Sequence, residues 1–199
     1  MPMARHGGCR DRVMHAPAVT PPDRLSAWAG EGVLHAVIEA CSGSRNKLKY
    51  DPRRGAFVLH KVLPLGTSFP FDFGFVPSTR AADGDPIDVL VLMEEPVPAG
   101  VVVPCRLIGV IEAEQREGQG AAERNDRLLA VAAQSRRHRR CRSIEDLDPD
   151  MLDEVERFFV FYNAQQGRQF TPIGRGSAAQ ATRLVQQAEH AWTVNGERG

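Results

Sequence analysis

From residue 33 to residue 133 the chain is a succession of short apolar runs, each cut off by turn formers. The runs are VLHAVIEA (33–40), KLKY (47–50), AFVLHKVL (56–63), the stretch 87–93, VVVPCRLIGVIEAE (101–114) and RLLAVAA (127–133). β-Branched and aliphatic runs bounded by Pro, Gly, Asn and Asp predict strands. CSGSRN (41–46) and DPRRG (51–55) are turns, so 47–63 reads as a β-hairpin. FPFDFGFVP (69–77), with two prolines and Gly74, reads as a bent, irregular segment. EEPVPAG (94–100) and QREGQGAAERND (115–126) read as loops, and Pro104 marks an edge or a bulge.

After residue 148 the period changes. Asp148 can cap a helix with Pro149 at its first position. Leu152, Val155, Phe159 and Tyr162 then follow helical spacing until Gly167. Ser177 opens a second helix, with Ala181, Leu184, Val185, Ala188 and Trp192 on one face. Closely spaced strands followed by two helices predict a mixed β/α fold, a small β-barrel with two C-terminal helices packed outside. The expected division is a disordered extension over 1–30, one catalytic-sized domain over 31–194, and a tail over 195–199.

Several classes are disfavoured. Lys+Arg and Asp+Glu balance at 25 each, so net charge gives no general attraction to nucleic acid or membrane. No apolar run approaches the roughly 18–20 residues that span a bilayer. The N-terminus has no apolar core of a secretory signal, and Asp11 and Asp23 interrupt its basic character. Cys9, Cys41, Cys105 and Cys141 are too widely spaced for a CxxC pair, so reduced thiols in a cytoplasmic protein are expected.

The chemistry concentrates at DGDPID (83–88), directly before VLVL. A solvated turn would explain Asp83 and Asp85. It would not explain Asp88 at the start of a buried strand, where a carboxylate needs a cation. With no His or Cys nearby, hard Mg²⁺, Mn²⁺ or Ca²⁺ is the expected kind. An EF-hand is rejected because Asp88 stands where that loop needs Gly and a strand follows. GQG (118–120) lacks the context of a dinucleotide loop. GRGS (174–177) reads as a helix-capping turn rather than an anion site. Arg45, Lys47, Lys49 and Lys61 lie on the hairpin. They make either a solvated face or, beside an acidic cation site, a frame for a polyanion. Tyr162 fits a core position or a hydroxyl aimed into the site, and the pattern favours the core. RRHRRCR (136–142) could contact nucleic-acid phosphates, but without interleaved aromatics it reads as a solvated loop.

DGDPIDV (83–89) resembles the signature of soluble family I inorganic pyrophosphatases. IEA…GSRNK (38–47), FPFDFGFVP, PCRLIGV (104–110), NDRLLAV (125–131) and FFVFYN (158–163) resemble further segments of that family in the same order. The resemblance covers about 33–192. It implies a five-stranded OB-type barrel and Mg²⁺-dependent hydrolysis of pyrophosphate, with Mn²⁺ as a substitute. It also implies a cytoplasmic homo-oligomer, hexamer or dimer. Asp83, Asp85 and Asp88 would be metal ligands, Asp85 would orient or deprotonate the attacking water, and Glu39 would act through water. Lys47, Lys61, Arg127 and Tyr162 would bind phosphate. Lys49 stands where the family has Glu, Phe69 and Phe73 replace tyrosines, and Asn163 replaces a lysine. Gln115 and Asn125 occupy the places of two ligand aspartates, with Glu114 and Asp126 as candidate replacements. A divergent homologue with weak or altered phosphoanhydride hydrolysis, or a binding or assembly role, is the alternative.

Overall fold

The computed structural model describes residues 19–196. Ten strands and two helices follow in order: β1 (Trp28–Gly30), β2 (Val33–Ala40), β3 (Asn46–Asp51), β4 (Ala56–Val62), β5 (Asp72–Phe75), β6 (Asp88–Leu92), β7 (Val102–Glu117), β8 (Glu123–Arg124), β9 (Arg127–Ala132), α1 (Pro149–Ala164), β10 (Arg168–Ser177) and α2 (Ala178–Gly196). The pairings β2–β5, β5–β6, β6–β9, β9–β7 and β7–β2 close a ring of five strands. β10 extends β7 on the outside, and β3–β4 stands apart as the expected hairpin.

β6 and β9 run parallel, with Asp88 opposite Arg127 and Leu92 opposite Val131. Beyond Asp88 and Arg127 both are apolar, because both faces are covered. Leu90, Leu92, Leu129 and Val131 join a cluster with Leu152, Val155, Phe159 and Tyr162 of α1. The alternate residues Val89, Val91, Leu128 and Ala130 join a second cluster with Ala181 and Val185 of α2. Asp148 caps α1 by accepting from Asp150 N at 3.0 Å, and Pro149 occupies the first turn.

Four expectations change. FPFDFGFVP is not irregular throughout: Asp72–Phe75 is a strand paired on both sides, with β2 and β6. Gly74 makes this possible, because a Cβ there would lie 2.0 Å from Val37 O. Pro104 lies inside β7 opposite His35, and the β7–β9 irregularity falls between Leu107 and Gly109 instead. The 115–126 loop is largely a hairpin, since β7 continues to Glu117 and β8 returns along it. β10 has no counterpart in the sequence reading. Its Pro172 is tolerated because β10 pairs only with β7 and leaves its other edge open.

Residues 22–30, assigned to the extension, contain a 3₁₀ turn (Pro22–Arg24) and β1, which pairs with β2. Residues 1–18 and 197–199 lie outside the described residues. Cys41, Cys105 and Cys141 are free thiols, and Cys9 lies outside the described residues.

Candidate active site

A cavity of about 280 Å³ opens beside the β3–β4 hairpin, with Glu39, Lys47, Lys49, Asp85 and Asp88 in its wall. Each is delivered by local backbone geometry. The β2–β5 register shifts between Ile38 and Ala40, so Glu39 sits on a bulge, a device that re-aims a side chain. Lys47 and Lys49 share a face of β3 by period-two alternation. Gly84, at φ +85°, turns the chain before β6, and Asp83 accepts from Asp85 N at 3.1 Å across that turn.

The carboxylates already have cations from the chain. Lys47 Nζ lies 3.4 Å from Glu39, and Arg127 lies 3.0 Å from Asp88, its partner in the parallel ladder. Lys49 Nζ donates to both oxygens of Asp85, at 2.9 and 3.0 Å. The last pair is exposed and therefore weak. Burial pushes Lys47 down, but Glu39 and Asp88 more than reverse this, so its ammonium is held above the usual lysine value. It also lies 4.7 Å over the Phe73 ring, so a ring without a hydroxyl still contributes here.

Arg127 is buried with its guanidinium 5.1 Å from the Phe159 centroid and 5.2 Å from that of Phe170. It donates to Asn125 O at 3.1 Å, to Asp126 O at 3.0 Å and to Asn125 Oδ1. Lys61 stands opposite Lys47 in the hairpin and donates to Gln166 and, at 3.4 Å, to Tyr162 Oη. Burial and then the Lys47 charge push Lys61 down to about 8. Tyr162 is therefore both core and polar: its ring is buried against Phe69 and Phe158 while its hydroxyl meets Lys61.

The candidate replacement ligands do not enter this cavity. Glu114 lies opposite Arg124 in the β7–β8 pair and lines a separate small cleft. Asp126 accepts from Ala113 N at 3.0 Å and pairs with Arg124 at 2.9 Å; it faces a neighbouring cavity that shares Asp88. Asn125 donates to Gln115 at 3.0 Å, so these two amides satisfy each other. Asn163 donates to Phe159 O at 2.8 Å within α1 and is buried. Among the further wall residues are Asp23, read as part of the extension, and Trp192, read as part of a helix face; neither was expected at the site.

Among the described residues no three Asp, Glu, His or Cys side chains converge into a preformed metal cage. The chemistry of the donor set nevertheless fits a hard divalent cation. It is all oxygen, and burial above all, with smaller pushes from Asp88 and Asp85, holds the Asp83 carboxyl above its usual range.

A closed ring of five strands thus carries carboxylates and lysines on one cavity. The model of the inorganic pyrophosphatase family matches residues 36–193, and the chain belongs to that family. It is 34% identical over 169 residues to an inorganic pyrophosphatase from a Nostoc species, covering 85% of this chain and 97% of that one. A Thermus thermophilus inorganic pyrophosphatase is 40% identical over 136 residues, covering 68% and 75%. The crystal structure of an inorganic pyrophosphatase from T. thermophilus superposes with a TM-score of 0.79 at 32% identity, covering 87% of this chain and 99% of that one.

Proposed function

We propose that this chain hydrolyses inorganic pyrophosphate to two orthophosphates, with Mg²⁺ as the working cation and Mn²⁺ able to replace it. One observation carries the reading: Glu39, Asp85, Asp88, Lys47 and Lys49 meet on a single cavity in a chain of this family. Water attacks one phosphorus, the bond from that phosphorus to the bridging oxygen breaks, and the water's proton leaves through a base.

Asp85 is the base, and its weak pair with Lys49 must open first. Asp83 and Asp88, with Glu39 through water, would hold the cation. When bound, it neutralises phosphate charge and lowers the pKa of the attacking water. Lys47, kept charged by Glu39 and Asp88, steadies the phosphoryl oxygens as charge builds on them. Lys61 and Tyr162 take the second phosphate, and Arg127 fixes Asp88 in place.

Phosphate release from pyrophosphate with Mg²⁺ tests this. The wild type should turn over, and Asp88→Asn should lose roughly 100-fold or more in kcat. Unchanged turnover in the variant would sink the site assignment. An inactive wild type would leave the second reading, a divergent phosphoanhydride hydrolase or assembly protein, which the charge-neutral Gln115–Asn125 pair favours. Self-association is part of the proposal: Val160, Phe161 and Ile173 are exposed apolar side chains suited to a second copy. A cytoplasmic setting accords with it; no helix among the described residues is long and apolar enough to cross a membrane.

A further inference from the structure

The carboxylates in the cavity wall are Asp23, Glu39, Asp85 and Asp88. Three have a cation from the chain: Lys47 for Glu39, Lys49 for Asp85 and Arg127 for Asp88. Asp23 has none among the described residues. Its Oδ1 is buried and lacks any hydrogen-bond partner. A buried oxygen left unpaired destabilises a fold, the more so when it is charged. Folds retain such an atom where something from outside completes it.

The backbone holds Asp23 at this place. Ser78 has φ +51°, the one non-glycine residue in the left-handed region among those described. In that conformation its N–H donates to Asp23 O at 3.0 Å and its hydroxyl donates to Leu25 O at 2.8 Å. Left-handed backbone at a side-chain-bearing residue is costly and persists where the surroundings enforce it. Ser78 lies three residues beyond the end of β5, whose Phe75 lines the same cavity. The family match begins at residue 36, so this carboxylate comes from outside it.

We infer that Asp23 is a further cation-binding residue of the active site, giving its unpaired carboxylate oxygen to a hard divalent cation directly or through one of that cation's waters. The inference rests on reading the cavity as a cation-assisted phosphate site. A carboxylate oxygen with no donor nearby is the kind of ligand that a hard divalent cation takes.

Mn²⁺ titration of the full chain tests this, using calorimetry and the paramagnetic signal of free Mn²⁺, on wild type, Asp23→Asn and Asp23→Glu. Asp23→Asn should weaken at least one Mn²⁺ site by roughly 10- to 100-fold. The metal-free Tm should stay the same or rise, because an unpaired charge has gone, while the Tm gained on adding Mn²⁺ shrinks. Asp23→Glu, which keeps the carboxylate, should recover most of the affinity. Identical isotherms for wild type and Asp23→Asn would overturn the inference. So would equal losses in Asn and Glu variants, since these would mark a packing role. Pyrophosphate hydrolysis by the wild type, measured alongside, keeps the two questions apart: an inactive wild type defeats the functional reading, whereas an active one with unaltered Mn²⁺ binding in Asp23→Asn defeats only the role of Asp23.

Discussion

Asp88 stands between two regions that handle charge in opposite ways. On one side the Asp83–Asp85 turn is acidic, and its Asp85–Lys49 pair is exposed, with side-chain exposures of 63% and 42%. On the other side, where β7 ends and β9 begins, two interlocked amides stand beside a buried guanidinium packed against two aromatic rings. The first region can exchange its lysine for an external cation at little cost. The second carries its own permanent cation, Arg127, and is built into the core. The proposed chemistry therefore draws on the turn, and stability on the start of β9.

The sharpest way to break this division is to neutralise one residue on each side. Asp85→Asn should cut kcat by about 10²- to 10⁴-fold, the usual worth of a positioned base. It should leave urea unfolding almost unchanged, because exposed pairs contribute roughly 0–1 kcal/mol. Arg127→Ala should add a loss of stability that Asp85→Asn lacks. Removing one partner of a buried pair costs about 3–5 kcal/mol, seen as a lower urea midpoint at constant slope. If Asp85→Asn destabilised the fold as much as Arg127→Ala, the two sides would not differ as described.

The same division explains what was legible in the sequence. The DGDPID turn, the hairpin lysines and the α1 face are encoded by neighbours in the chain, so spacing alone exposes them. Arg127 was assigned to phosphate, whereas the parallel β6–β9 register also puts it on Asp88. That register is a long-range property with no local signature. The Glu39 bulge depends on Gly74 of another strand. Asp23 was hidden for a similar reason: its anchor, Ser78, is remote in sequence, and Pro-rich surroundings gave the segment a disordered look. β10 escaped because only Phe170 and Gly176 along it are buried and because Pro172, Gly174 and Gly176 weaken any strand pattern.

The two facing lysines offer a finer comparison. Lys47 is held charged by carboxylates, whereas Lys61, half-buried beside Lys47, is pushed down to about 8. A group whose folded pKa lies below its unfolded value of 10.5 is bound to a proton in the unfolded chain but not in the fold between about pH 8 and 10.5. Its contribution to stability therefore rises with pH across that window. Substrate binding should run the other way, since the anion wants the ammonium. Above about pH 8 the KM for pyrophosphate should climb, by at most about tenfold per pH unit. Lys61→Arg keeps its charge throughout and should flatten the climb. An equal climb in both proteins would remove Lys61 from the phosphate site.

The smallest effect is expected from the most conspicuous basic run. Arg136, Arg137, Arg139 and Arg140 are exposed. The loop is instead held by Glu94, which accepts from Arg136 N at 2.7 Å, from Ser135 Oγ at 3.0 Å and from Arg137 N. Those bonds use main-chain amides and the Ser135 hydroxyl, so none needs a guanidinium. Backbone donation from Arg137 is the largest influence holding the Glu94 carboxyl down at about 2, and it would survive any side-chain change. Changing all four arginines to Ala should leave phosphate release from pyrophosphate within experimental error of wild type. A collapse of turnover would mean that this run reaches the substrate, and would turn attention to a phosphate-rich ligand bound across it.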